Sequence, residues 1–233
     1  MTVLIGLLCK DGIVVASDSQ ESDEIYMKRL GVRKIYDTET FGFTDVQLVM
    51  GGAGSNAYIR KAVELIREAG YAPFFMKPRE VANVVEKALG DMAKRHGYGE
   101  DDKGLDVGLL LGVWCRNAPR PEDESDNVDD SPCPYALYSI DPPERGERVG
   151  VADAVDDYVA MGSGGLFAQY LLDRLHDDDH KTTALTVEEG IVEAIYVVTV
   201  TRLTRSICTA AARFTRRTSS PDSMTSSEKV PKR

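Results

Sequence analysis

Segments that read as strands and segments with helical spacing fall into separate blocks along this chain, and that order limits the architectures open to it. Val3-Leu4-Ile5-Gly6-Leu7-Leu8-Cys9 and Ile13-Val14-Val15-Ala16 flank Asp11-Gly12, a strong hairpin signal. Their unbroken apolar runs, without clean alternation, suit strands covered on both faces. Residues 32–36 and 46–50 read as two more strands, and Gly51-Gly52-Ala53-Gly54-Ser55 breaks the pattern. Ile59, Ala62, Val63, Leu65 and Ile66 then recur at helical spacing up to Gly70. A second helix is expected from Pro78 to His96-Gly97, with Val81, Val84, Val85, Ala88, Leu89 and Met92 as its apolar face. Strands return at 107–115, 135–140 and 158–162, and helices follow over 166–175 and from Thr186 to about Arg205. Strands, two helices, strands, two helices: this order argues for α+β layers built on antiparallel sheet.

A length of 233 residues supports one substantial core. The expected layout is a single domain over 1–212 and a basic, Ser/Thr-rich, disordered tail over 213–233. Within the domain, 117–133 carries Glu122, Asp123, Glu124, Asp126, Asp129 and Asp130 against Arg120 alone, so it reads as a solvated acidic insertion. The net charge of −10 argues against a nucleic-acid binder, which would carry a basic footprint. No apolar run approaches the roughly 18 residues of a membrane helix, and no basic stretch precedes a long apolar one. The expectation is a cytoplasmic protein that binds neither nucleic acid nor membrane.

Cys9, Cys115, Cys133 and Cys208 form no C-x-x-C pair, so they suit neither a disulfide scaffold nor a zinc site and read as small buried hydrophobes. Trp114, inside an apolar strand, reads as core. His176-Asp177-Asp178-Asp179-His180 spaces two histidines for a divalent metal, but its place between a helix end and Lys181-Thr182-Thr183 favours an exposed acidic loop. Gly162-Ser163-Gly164-Gly165 precedes a helix yet lacks the spacing and lysine of a phosphate-binding loop. No metal and no cofactor is expected.

Thr2, Asp18 and Lys34 stand 16 and 16 residues apart. Thr2 opens the first strand and Asp18 ends the second, so a hairpin brings them to one edge. A third strand turning back places Lys34 beside both. Loss of Met1 would give Thr2 a free α-amino group next to its own hydroxyl. A threonine hydroxyl is a weak nucleophile that needs a base within hydrogen-bond reach, and an α-amine titrates near about 8, close to working pH. The Lys34 ammonium would push that amine lower and favour its neutral form, while Asp18 holds Lys34 in place. Backbone N–H groups at Gly51-Gly52, at the opening of a helix, would serve an oxyanion.

The leading Thr2, the Asp11-Gly12-Ile13-Val14-Val15-Ala16-Ser17-Asp18 run, Arg33-Lys34-Ile35 and the Met50-Gly51-Gly52-Ala53 turn resemble the N-terminal part of a proteasome β-type subunit, an N-terminal nucleophile (Ntn) hydrolase. Ser19-Gln20-Glu21-Ser22 and Gly162-Ser163-Gly164-Gly165-Leu166-Phe167-Ala168-Gln169 lean toward the HslV-type peptidase of bacteria. The resemblance covers roughly residues 2–205 and is densest in the first 55. It implies a four-layer α-β-β-α sandwich of two antiparallel sheets between helices. It also implies that Thr2, Asp18 and Lys34 are the catalytic set, that Gly51 contributes the oxyanion N–H, and that Ser163 hydrogen-bonds near the threonine amine. By the same resemblance Val32, Val49 and Ala53 wall the substrate pocket and Ser22 touches the substrate backbone; all three wall positions being apolar, an apolar residue is expected before the scissile bond. Arg202-Leu203-Thr204-Arg205-Ser206-Ile207-Cys208 departs from the family, which carries aspartate and serine as D-x-x-S at the end of the last helix; no clear counterpart of its final strand pair follows Cys208.

The function implied is a threonine-type peptidase subunit acting on peptides or unfolded proteins, confined in a homo-oligomeric ring that an ATP-dependent unfoldase serves, with exposure of Thr2 depending on loss of Met1 alone. A non-catalytic ring subunit and an Ntn amidase or transpeptidase are the alternatives. Assembly is expected through helices 53–69 and that from residue 78, which carry enough apolar residues to cover a sheet and still meet a neighbour.

Overall fold

A computed structural model describes residues 2–22, 28–37, 46–69, 77–96, 107–115, 135–140, 152–176 and 181–218. The acidic insertion 117–133, with Cys133, lies outside the described residues, as do His180 and 219–233. The strands are β1 (Leu4–Cys9), β2 (Gly12–Ser17), β3 (Gln20–Ser22), β4 (Lys28–Leu30), β5 (Ile35–Tyr36), β6 (Val46–Gly54), β7 (Val107–Cys115), β8 (Tyr135–Ile140), β9 (Ala152–Val155) and β10 (Tyr158–Met161). The helices are α1 (Asn56–Ala69), α2 (Pro78–His96), α3 (Gly165–Leu175) and α4 (Val187–Thr218), with a 3₁₀ turn at Thr182–Ala184.

A three-stranded sheet in the order β10-β1-β2 faces a five-stranded sheet in the order β5-β6-β7-β8-β9, and β3 pairs β4 separately. All of these pairings are antiparallel. Alternation along the strands builds the layers. Val3, Ile5, Leu7 and Cys9 turn toward Ala168 and Leu172 of α3 and Ala194 and Val197 of α4. Leu4 turns the other way and meets Ala53, Leu110, Leu137 and Met161 between the sheets. On the far side Leu48, Met50, Leu109, Leu111 and Val113 pack under Ile59, Ile66, Val85 and Met92 of α1 and α2. The result is the four-layer α-β-β-α sandwich of two antiparallel sheets.

Four local readings change. Strand β6 runs straight through Gly51, Gly52 and Ala53 instead of ending before them. A Cβ on Gly51 would collide with the fully buried Leu4, and one on Gly52 would lie 2.6 Å from Ile59 Cγ2, so the glycines let the facing sheet and α1 approach the strand closely. Trp114 is 38 % exposed instead of core. It shares the inter-sheet face of β7 with Leu110 and Gly112, but it reaches the end where the narrower sheet no longer covers β7, and there it lines a cleft of about 550 Å³ with Gly12, Ile13, Val49 and Tyr135. His176, expected in an exposed loop, is buried and hydrogen-bonded to Glu193. Helix α4 opens on a reciprocal cap, the Thr186 N–H donating to Glu189 Oε2 (2.8 Å) and the Glu189 N–H to Thr186 Oγ1 (3.3 Å), and it runs past Arg205 to Thr218, into the stretch read as tail. The apolar residues of α1 and α2 are spent on the core: among the described residues neither helix exposes a large hydrophobe, which removes the expected contact surface from them.

Candidate active site

The hairpin of β1 and β2 pairs Leu4 with Ser17, so the residues just outside that pair, Val3 and Asp18, are held together. The Asp18 N–H donates to the Val3 carbonyl (3.1 Å), and Asp18 Oδ1 accepts the Val3 N–H (2.8 Å). The chain returns through 32–34, where the Val32 N–H donates to the Ser19 carbonyl (3.0 Å) and the Lys34 carbonyl accepts the Gly52 N–H (3.1 Å). This lays Lys34 across the open end of the hairpin. Its Nζ donates to Asp18 Oδ1 at 2.9 Å and to Thr2 Oγ1 at 3.3 Å. Both members of the ion pair are out of solvent, with 7 % of the Lys34 and 2 % of the Asp18 side chain exposed.

The fourth element comes from the far end of the chain. Strand β10 pairs β1 on its other side, Leu4 against Met161, which delivers the turn 162–164 to Thr2. The Thr2 N–H donates to Ser163 Oγ (3.0 Å), and the Gly164 N–H donates to the Thr2 carbonyl (2.9 Å). Gly162 sits at φ +87°, and a Cβ there would lie 2.6 Å from the Thr2 carbonyl oxygen, so the turn demands glycine on both counts. Thr2, Asp18, Lys34 and Ser163 thus converge, as expected. Gly164, holding the Thr2 carbonyl, is the member the sequence reading lacks; its contribution is a backbone N–H, for which the glycine–serine–glycine turn was the only signal.

The remaining expected residues are placed as follows. Gly51 lies inside β6, between Ile35 of β5 and Leu110 of β7, rather than at a helix opening, and the Gly52 N–H is taken by Lys34. Ser22 is on β3, opposite Lys28 of β4. Val32 lines a cleft of about 350 Å³ with Arg33, Tyr36, Asn56, Arg60, Val63 and Glu64. Val49 lines the separate cleft beside Trp114, and Ala53 is buried between the sheets. These three wall positions do not share one pocket.

A hydroxyl beside a buried lysine–aspartate pair, on a residue whose nitrogen and carbonyl are both anchored, is a site for nucleophilic attack with a fixed trajectory. No family model matches the chain. Proteasome subunit beta of Nanoarchaeum equitans is 24 % identical over 194 residues, spanning 82 % of this chain and 80 % of that protein. Proteasome subunit beta 2 of Pyrococcus abyssi is 27 % identical over 199 residues, spanning 84 % and 77 %. The chain is proteasome β-like. Among solved structures, this proteasome β-like chain superposes on Anbu from a helical assembly of the Anbu complex of Pseudomonas aeruginosa with a TM-score of 0.60, at 18 % identity over 84 % of this chain and 72 % of that one. Anbu (ancestral beta-subunit) from Yersinia bercovieri gives the same TM-score at 17 % identity and the same coverage. These neighbours share the Ntn sandwich.

Proposed function

We propose that this chain is a threonine-type peptidase subunit of a self-compartmentalising, proteasome-like assembly, acting through Thr2 once Met1 is removed. The reading is supported above all by Thr2 Oγ1 standing 3.3 Å from Lys34 Nζ, which is itself paired with Asp18. In this mechanism the free α-amine of Thr2 takes the hydroxyl proton as Oγ1 attacks the amide carbon of a peptide or unfolded protein. Lys34 favours the neutral amine and steadies charge developing on Oγ1. Ser163, at the Thr2 nitrogen, orients the amine, and the Gly51 segment of β6 supplies the oxyanion N–H. The amine returns its proton to the leaving nitrogen, leaving an ester on Thr2. Water then attacks that ester with the same amine as base, releasing the second product and restoring the hydroxyl. Confinement in a ring of copies, service by an ATP-dependent unfoldase and a cytoplasmic location complete the reading; among the described residues no helix is long and apolar enough to cross a membrane.

A second reading, a ring subunit without activity, draws on one observation: 202–208 lies within α4 and holds no aspartate to support the amine. N-terminal sequencing and turnover of a peptide-amide series separate the two. The peptidase reading expects Thr2 as the first residue and loss of turnover by many orders of magnitude in Thr2→Ala, since the nucleophile and its base act as a unit. Retained Met1, or turnover unchanged in Thr2→Ala, overturns it.

A further inference from the structure

We propose that the outward faces of α3 and α4 form one surface on which a second copy of this chain docks, an inference that rests on the reading of the chain as an assembling subunit. Both helices lie on the three-stranded sheet, α3 over β10 and β1, α4 over β1 and β2, and they contact each other. Ala168, Leu172, Ala194 and Val197 face inward, which leaves the opposite sides of the two helices pointing away from the molecule together. Those sides are apolar. Of the large hydrophobic side chains exposed among the described residues, all but Trp114 sit on these two helices. Leu166 is 89 % exposed and Val192 68 %, with Tyr170, Ile195, Tyr196 and Leu203 each more than half exposed.

Two quantities favour another copy of the chain as the occupant. The six side chains together expose roughly 700 Å², more than a lone soluble protein ordinarily leaves open and close to the ~800 Å² that each partner of a stable interface covers. Charge points the same way. The chain carries −10, so two copies repel wherever acidic faces meet, yet the exposed positions of α4 between Glu189 and Arg202 hold no charge at all. Glu193, within that span, turns sideways into its bond with the buried His176. An acidic chain that must pack against itself has here a face on which like-charge repulsion is absent.

Light scattering at micromolar concentration on the full chain tests the proposal. The doubly substituted Leu166→Glu, Ile195→Glu chain is compared with the unsubstituted chain and with Arg67→Glu, a charge change on the exposed side of α1, and thermal melting of each checks folding. The proposal expects the unsubstituted chain and Arg67→Glu to share a mass above 25.6 kDa, and the double variant to fall to a smaller species while melting at the same temperature. Should the glutamates unfold the chain, Ile195→Thr, which keeps the branched shape, is expected to raise the concentration at which the complex dissociates by about tenfold. A double variant that keeps the full mass, or an Ile195→Thr chain that dissociates as the unsubstituted one does, overturns this surface and leaves assembly standing. An unsubstituted chain that stays at 25.6 kDa overturns assembly itself, and the surface with it.

Discussion

Lys34 and Asp18 are an ion pair almost wholly removed from water, and such a pair is sensitive to the loss of one partner. Asp18→Asn keeps an oxygen for the Val3 N–H but leaves the lysine charge buried without its counter-charge. It is expected to lower unfolding stability by about 3 kcal/mol, read as a shift of the urea midpoint at unchanged slope. The juxtaposition of Thr2, Asp18 and Lys34 was legible in the sequence because a hairpin closes on its own ends and the next strand must return nearby. Ser163, 161 residues from Thr2, could be expected only through the family resemblance, since no local spacing brings β10 beside β1. Gly164 was illegible for a different reason: it acts through a backbone N–H, a group that almost every residue carries.

At the scale of elements, the glycines of β6 show where local preference and tertiary contact part. Glycine is a poor strand former, so a Gly-Gly-Ala-Gly run reads as an end; here β6 pairs β7 on through Gly54, and the inner face of Gly51 is filled by Leu4 from the opposite sheet. Gly51→Ala therefore forces a methyl into a contact that Leu4, fully buried, has no room to yield. It is expected to cost roughly 1–3 kcal/mol, seen as a lowered melting temperature, and to disturb β1 next to Thr2. The helices were the most legible elements: α1 and α2 end within a residue of their predicted limits because apolar spacing, Pro78 and the closing glycines agree. Strands β3, β4 and β9 were not anticipated; at 3, 3 and 4 residues they are too short to show a period.

For the molecule as a whole, the two sandwich halves unfold against the same proton balance. Burial pushes the Cys9 and Cys115 thiols up from 9.0 to about 11, with nearby carboxylates, Asp11 foremost for Cys9 and Glu80 for Cys115, adding to the effect. A folded-state value above the unfolded one means that the native chain keeps its thiol protons while the unfolded chain gives them up. Stability is thus complete below about pH 9 and falls as pH rises through 9 to 11. Denaturant melts across that range are expected to show the decline, and iodoacetamide at neutral pH should label these two thiols only as fast as the sandwich opens. The layer order was legible from the strand and helix blocks; the unequal width of the two sheets was not, because it depends on which strands find partners rather than on how many apolar runs the chain holds. That inequality has an optical consequence. The chain's single tryptophan stands on the flank that the narrow sheet leaves uncovered, half in solvent and beside Tyr135. Its emission, free of any second indole, reads that flank alone, so anything that comes to cover it shifts the spectrum toward the blue without a label being added.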